Sequence, residues 1–351
     1  MGDYGRLVPV FLAGGSGTRL WPVSTPETPK QFLKLCGDTS LLALSLSRVP
    51  PSDGFADPVI VGNRNHESLI RQALGDRPAK LILEASARNT AAAIALAALE
   101  AGPSDHLLVM PSDHLIGDLP AFRATVERQR RFLGDGLIVS FGVSPTRPET
   151  GYGYIRPHGS AGTARPIAAF HEKPDGDTAR RLIAEGWLWN SGIFLFEAQT
   201  VIHQMEKLAP GILAAARLAL RHGERRGATL LPAGEPLDDV HPLSFDRAVM
   251  ERGAPAVVAE YAGGWSDMGS WEEVWRFAEK DADGTACDGR VMLDGVRNAL
   301  VRSDGPLTLV SGLDDVVVIN QGGVVLVTTR ARSQDVGRIL AAAAATDLRP
   351  I

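Results

Sequence analysis

From Leu7 to Ser140 the chain alternates short apolar runs with longer amphipathic or alanine-rich segments, and this alternation constrains the fold more than any other feature. A short apolar run flanked by helical pattern is a strand buried on both faces, and stacked βαβ units join such strands into a parallel sheet. Strands are predicted at LVPVFL from Leu7, PVIV from Pro58, KLILE from Lys80, HLLVM from His106 and LIVSF from Leu137. Helices are predicted over 40–48, 65–74, 90–101 and 120–132. The third is the most strongly encoded, because Asn89 and Thr90 can cap an almost uninterrupted run of strong helix formers. The expected class is α/β with a doubly wound sheet.

After Gly142 the texture changes. Gly, Pro and aromatic residues cluster at 147–156, 170–174, 187–196 and 263–275, the kind of insertion that carries substrate contacts on an α/β sheet. A polar stretch over 281–288 precedes Val-rich runs at 298–302, 307–310, 316–319 and 324–328, which predict an all-β tail. Ser333 is expected to cap a last helix, QDVGRILAAAAA. The expected division is a catalytic domain over 1–285 and a small all-β domain over 286–351.

Charge and cysteine content exclude several classes. With 36 Lys+Arg against 41 Asp+Glu among 351 residues the net charge is -5, which offers no basic footprint for nucleic acid. Cys36 and Cys287 are too few for a disulfide framework or a thiolate metal site, read as small buried apolar residues, and suit a reducing compartment. The first apolar run meets glycines too soon to span a bilayer or serve as a signal peptide, so no membrane association and a cytoplasmic address are expected.

The first strand runs into Gly14-Gly15-Ser16-Gly17-Thr18-Arg19-Leu20. A glycine-rich turn at the carboxyl end of a first strand exposes N–H groups to an anion, although the same composition also serves a plain tight turn. It is not a dinucleotide fingerprint, since Leu20 stands where a third glycine is needed, and Thr18-Arg19 after Gly17 is not a Walker loop. The continuation LWPVSTPETPKQFLKL brings in Lys30, and two cations beside a glycine loop can neutralise a triphosphate. Asp113, after the HLLVM run, and Asp267, in GGWSDMGSW, are read either as turn residues or as two of the few carboxylates that Mg²⁺ requires.

LAGGSGTRLWP with PKQFL, EASARNTAAAIALAAL, MPSDHLI, RPETGYGYI, EKP, WNSGIF, SFDRAVME and WSDMGSWEEVW follow one another in this order. Together they resemble the sugar nucleotidyltransferases, and within them the mannose-1-phosphate guanylyltransferases. The resemblance implies a Rossmann-like, mixed but mainly parallel sheet flanked by helices, the nucleotide-diphospho-sugar transferase fold. It also implies a small left-handed β-helix-like tail that serves in packing and in a homodimer. The implied reaction joins GTP and mannose 1-phosphate into GDP-mannose and pyrophosphate with Mg²⁺ as cofactor.

Site roles follow from the same resemblance. Gly14, Gly15, Ser16, Gly17 and Thr18 would cradle the nucleotide phosphates, with Arg19 and Lys30 neutralising them. Asp113 and Asp267 would hold the metal. Gly153, Glu172, Asn190 and Asp246 would contact the hexose, and Lys173 its phosphate. Glu84, Arg88 and Asn89 would face the base, where a carboxylate or backbone carbonyl accepting from guanine N1–H and its amine selects against adenine; Arg88-Asn89 is equally a helix cap with a solvated arginine. Phe245 and Arg247 depart from the family's Ser-Ile-Asp-Tyr, and Ala85, Ala87 and Ala92 replace its Pro, Gly and Pro. Beyond Asp288 there is no histidine, so a metal-binding isomerase module is not expected.

Overall fold

The computed structural model describes residues 5–345 apart from 16 and 161, so Ser16 lies outside the described residues, as does the side chain of Thr18. The chain divides into two compact units. The first comprises residues 1–14, 45–112 and 116–265, and the second gathers 15–44, 113–115 and 266–351. The second therefore takes in more than the tail expected over 286–351.

The apolar runs form the strands that their pattern implies. β1 (Leu7–Ala13), β2 (Val59–Asn63), β3 (Lys80–Glu84) and β4 (His106–Pro111) pair in parallel, with Phe11 registered against Ile60 on one side and Met110 on the other. Their side chains are almost wholly buried, as expected for strands covered on both faces. The helices expected among them are α1 (Leu41–Ser47), α2 (Glu67–Leu74), α3 (Asn89–Leu99) and α4 (Leu119–Gln129).

The sheet continues through β5 (Ile138–Val143), β6 (Gly153–Pro157), β7 (Arg165–Glu172), β8 (Leu188–Glu197), β9 (Glu224–Arg226), β10 (Thr229–Leu231) and β11 (Ala256–Glu260). Among the described residues its eleven strands run β9-β10-β3-β2-β1-β4-β8-β5-β11-β7-β6. The insertion after Gly142 makes it mixed: β8 lies antiparallel between β4 and β5, and β6 and β7 form an antiparallel edge, with α5 (Gly176–Ala184) joining β7 to β8. The architecture is thus α/β with a mixed sheet.

Residues Ala91 to Ala98 of α3 are all buried, in one cluster with residues of α6 (Ala198–Leu208) and α7 (Pro210–Arg221). A helix apolar all round has no solvent face, and its alanines let neighbouring backbones approach closely. Phe245, the departure from the family's Ile, is fully buried with its ring 5.1 Å from Phe194 and 5.8 Å from Phe196.

In the second unit β12 (Ala286–Asp294), β13 (Leu300–Ser311) and β14 (Val316–Gln321) pair in parallel, and β15 (Val324–Thr329) closes the sheet antiparallel. Ala286 pairs with Leu300 and Leu300 with Val317, so successive strands stack after short returns, as coils do. The runs at 298–302 and 307–310 fall largely on one long strand, β13. β12 escaped the sequence pattern because most of its residues are exposed or half-buried. Ser333 is not a cap: it lies within a 3₁₀ turn over Arg330–Asp335, and its buried hydroxyl accepts from Glu272 N at 3.2 Å. The last helix is α10 (Val336–Ala345).

The cysteines also differ from their expected burial. Cys36 is half-buried and Cys287 exposed; both line a cavity of about 580 Å³, and partial burial raises both thiol pKa values. No helix among the described residues is long and apolar enough to cross a membrane.

Candidate active site

In the second unit the phosphate-loop and metal candidates converge on one buried ammonium. Lys30 opens a 3₁₀ turn after Pro29 and is 5% exposed. Its Nζ lies 2.7 Å from Asp113 Oδ2 and donates to the carbonyl of Asp267 at 2.5 Å. Gly17 makes this approach possible: its φ is +59°, and a Cβ there would lie 2.5 Å from Cβ of Lys30. Cβ atoms at Gly14 and Gly15 would meet nothing within 4 Å, which leaves their backbone open to a ligand.

Opposing effects act on the Asp113 carboxyl. Burial pushes its carboxyl up, but the charge of Lys30, the nearby His114 and the hydrogen bond from Lys30 outweigh it and hold the pKa below the usual range. Asp267 receives Arg19 Nη2 on Oδ2 at 3.5 Å and Gly269 N on Oδ1 at 2.9 Å. A Cβ at Gly269 would lie 2.4 Å from Asp267 Oδ2, so glycine lets the chain fold over the carboxylate without displacing it. Behind it Ser266 Oγ donates to the buried Glu273 at 2.7 Å and accepts from Met268 N at 2.9 Å, while Ser270 caps α9 (Trp271–Phe277). These supporting contacts had no signature in the sequence beyond the Ser-x-x-Glu spacing.

The Asp113 carboxylate beside Lys30 and the Asp267 carboxylate beside Arg19 are hard oxygen donors of the kind that fits Mg²⁺, which takes one or two carboxylates and completes its shell with phosphate oxygens and water. Lys30 supplies positive charge at Asp113 and Arg19 at Asp267.

The hexose candidates gather in the first unit. Gly153 on β6 is registered against Glu172 on β7, and a Cβ at 153 would lie 2.7 Å from Glu172 Oε2. Lys173 follows with its Nζ 3.4 Å from Glu172 Oε1 and its side chain 60% exposed, free to turn to an anion. Asn190 is buried on β8. Its Oδ1 accepts from Ser140 Oγ at 3.3 Å and Gly192 N at 3.1 Å, and its Nδ2 donates to Asp246 Oδ1 at 2.7 Å. Burial and then the neighbouring Glu172 carboxylate push Asp246 up to about 7, against the hydrogen bond from Asn190.

The base candidates sit where β3 meets α3. Glu84 is 6% exposed, its Oε1 has no hydrogen-bond partner, and burial pushes its carboxyl up to about 8 despite the opposing charge of Arg88. Arg88 stands at the N-cap of α3 without a capping side-chain bond: its guanidinium pairs with Asp238 on the short helix α8 (Glu235–Asp238) and donates from Nε to Ser86 Oγ at 3.0 Å. Asn89 Oδ1 accepts from Thr90 N at 2.9 Å, and Thr90 Oγ1 accepts from Phe245 N at 2.8 Å, next to Asp246. Thr90 thus ties the base and hexose candidates together, a role its sequence context did not reveal.

Asn89, Lys173 and Met268 all have positive φ, at 65°, 49° and 49°. Left-handed backbone at non-glycine residues costs of order 1 kcal/mol and concentrates at functional sites. Each of the three stands in or beside a motif residue.

The family model for nucleotidyl transferases matches residues 8–284. The xanthan biosynthesis protein XanB of Xanthomonas campestris pv. campestris strain B100 is 41% identical over 346 residues, covering 95% of this chain and 72% of that protein. The mannose-1-phosphate guanylyltransferase of Escherichia coli strain K12 is 39% identical over 349 residues, covering 95% and 73%. A crystal structure from Thermus thermophilus, described as a mannose-1-phosphate geranyltransferase, aligns over 96% of this chain and 99% of that one with a TM-score of 0.84 at 28% identity. With its motifs in order, its sheet of the matching type and these relatives spanning nearly its full length, the chain belongs to the nucleotidyl transferase family, among the mannose-1-phosphate guanylyltransferases.

Proposed function

We infer that this protein transfers GMP from GTP to α-D-mannose 1-phosphate, giving GDP-mannose and pyrophosphate. The observation that carries the reading is the buried Lys30 ammonium between Asp113 and the Asp267 backbone, with Arg19 on the Asp267 carboxylate. A phosphate oxygen of the sugar attacks the α-phosphorus, the bond to the β-phosphate bridging oxygen breaks in line, and pyrophosphate leaves. The nucleophile is already an anion, so the protein supplies position and charge neutralisation rather than a base.

Lys30 neutralises charge at the reacting phosphates, Arg19 holds the leaving pyrophosphate, and Lys173 orients the sugar phosphate. Gly14, Gly15 and Gly17 offer their backbone to the triphosphate. Asp113 and Asp267 would hold Mg²⁺, which supplies further charge neutralisation on phosphate oxygens. Gly153, Glu172, Asn190 and Asp246 take the hexose hydroxyls, and Glu84 the guanine edge. A panel of four nucleoside triphosphates against several hexose 1-phosphates tests the reading: pyrophosphate release should be fastest with GTP and mannose 1-phosphate. A faster pair elsewhere in the panel would replace it.

Asp246 gives the hexose side a pH dependence. Below about 7 its carboxyl is neutral and can both donate and accept; above that it places a second negative charge beside Glu172, against an anionic substrate. KM for mannose 1-phosphate is therefore expected to rise as pH climbs through 7, and Asp246→Asn to lack that rise. Parallel profiles in the two proteins would remove Asp246 from the role.

The tail is read as a short left-handed β-helix, supported by its successive parallel strands. Met292 and Leu309, neighbours in register, are 58% and 63% exposed and support a homodimer through this sheet, which sedimentation would report as twice the chain mass. Two unpaired thiols suit the reducing cytoplasm.

A further inference from the structure

Arg19 has a second acceptor that none of the motifs contains. Its Nη1 donates to Gln334 Oε1 at 3.2 Å while Nη2 reaches Asp267 at 3.5 Å, so the guanidinium is held from both sides. The segment that carries Gln334 is itself anchored. Ser333 accepts from Glu272 N, Val336 is buried in one apolar cluster with Leu20, and the Arg330 guanidinium stacks 3.5 Å over the Trp275 ring. Gly337 completes the contact: a Cβ there would lie 3.5 Å from Cγ of Arg19, so the start of α10 lies along the arginine stem.

We propose that Gln334 is a positioning residue for Arg19, and that the turn leading into the last helix thereby sets the affinity of the phosphate site for pyrophosphate. The proposal rests on the reading of Arg19 as a pyrophosphate ligand. A long arginine side chain that is 42% exposed loses rotamer freedom when it binds an anion. Two fixed acceptors remove part of that loss before the ligand arrives, and a neutral amide does so without cancelling the charge. Glutamine is suited to the position for that reason, because a carboxylate there would hold the guanidinium but compete with pyrophosphate for it.

The test is calorimetric titration of the full chain with magnesium pyrophosphate, together with steady-state kinetics and melting curves. Gln334→Ala is expected to weaken pyrophosphate about 3- to 10-fold, the size of the ordering cost of one long side chain. It should raise KM for GTP alike and leave kcat, KM for mannose 1-phosphate and the melting temperature near wild type. Gln334→Glu is expected to weaken pyrophosphate more than alanine does, whereas a merely structural role would make the near-isosteric glutamate the milder change. Arg19→Ala separates the two layers. If it binds pyrophosphate like wild type, the role of Arg19 fails and the proposal with it; if it loses binding while Gln334→Ala does not, the positioning role alone is overturned.

Discussion

Exchange of Lys30 for methionine is expected to lower turnover by about 10²- to 10³-fold, the usual loss when one preorganised electrostatic stabiliser is removed. Methionine keeps most of the stem's volume, so the packing against Gly17 survives and the effect reports charge. The ammonium is the common partner of Asp113 and the Asp267 carbonyl, at 2.7 and 2.5 Å. Its loss leaves Asp113 uncompensated. Breaking a fully buried pair costs about 3–5 kcal/mol, and the cost here should be smaller because Asp113 keeps 24% of its side-chain exposure. The double variant Lys30→Met, Asp113→Asn should recover much of that stability and none of the activity, since both lack a phosphate-neutralising charge. Urea midpoints and pyrophosphate release measured on the three proteins check this, and turnover within 10-fold of wild type for Lys30→Met would contradict it.

Glu84→Gln is expected to reduce the preference for GTP over ATP by about 10- to 100-fold. Guanine presents two adjacent donors, N1–H and the 2-amine, which match two carboxylate oxygens; losing one bond to a charged acceptor is worth about 1.5–3 kcal/mol. Glutamine offers one acceptor and one donor, and that pair complements the 6-amine and N1 of adenine. In the proposed reading, the orphaned Oε1 of Glu84, on a side chain left only 6% exposed, would accept from such a donor. Because burial pushes the free carboxyl up to about 8, guanine binding at pH 7 must release a proton. KM for GTP should accordingly fall as pH rises from 7 to 8 in the wild type and stay level in Glu84→Gln. Specificity constants for both nucleotides across that range decide it.

The first half of the sheet was legible because its strands are buried on both faces, so burial and pattern coincide from Leu7 to Val143. β12 was not, since a strand exposed along most of its length carries no apolar run. The left-handed turns at Asn89, Lys173 and Met268 were marked only by the motifs around them, as three different side chains occupy one conformation. Arg88 takes the N-cap position open to it in the sequence, but the partner of its guanidinium, Asp238, is 150 residues away and left no local sign. Thr90 and Gln334 were invisible for the same reason: a single hydrogen bond over 155 or 315 residues leaves no periodicity. What the sequence carried for the site was residue type at fixed offsets from glycines, which fixes backbone approach; the contacts that aim each group come from packing.

The central claim is guanylyl transfer, and its most direct test is a ³¹P spectrum of the protein incubated with GTP, mannose 1-phosphate and Mg²⁺. In-line attack at the α-phosphorus predicts that pyrophosphate and the two coupled resonances of a sugar diphosphate grow in equal amounts while GTP and mannose 1-phosphate decline together. Growth of GDP with inorganic phosphate, or of GMP with pyrophosphate while mannose 1-phosphate stays constant, would place the reaction on water and contradict the account.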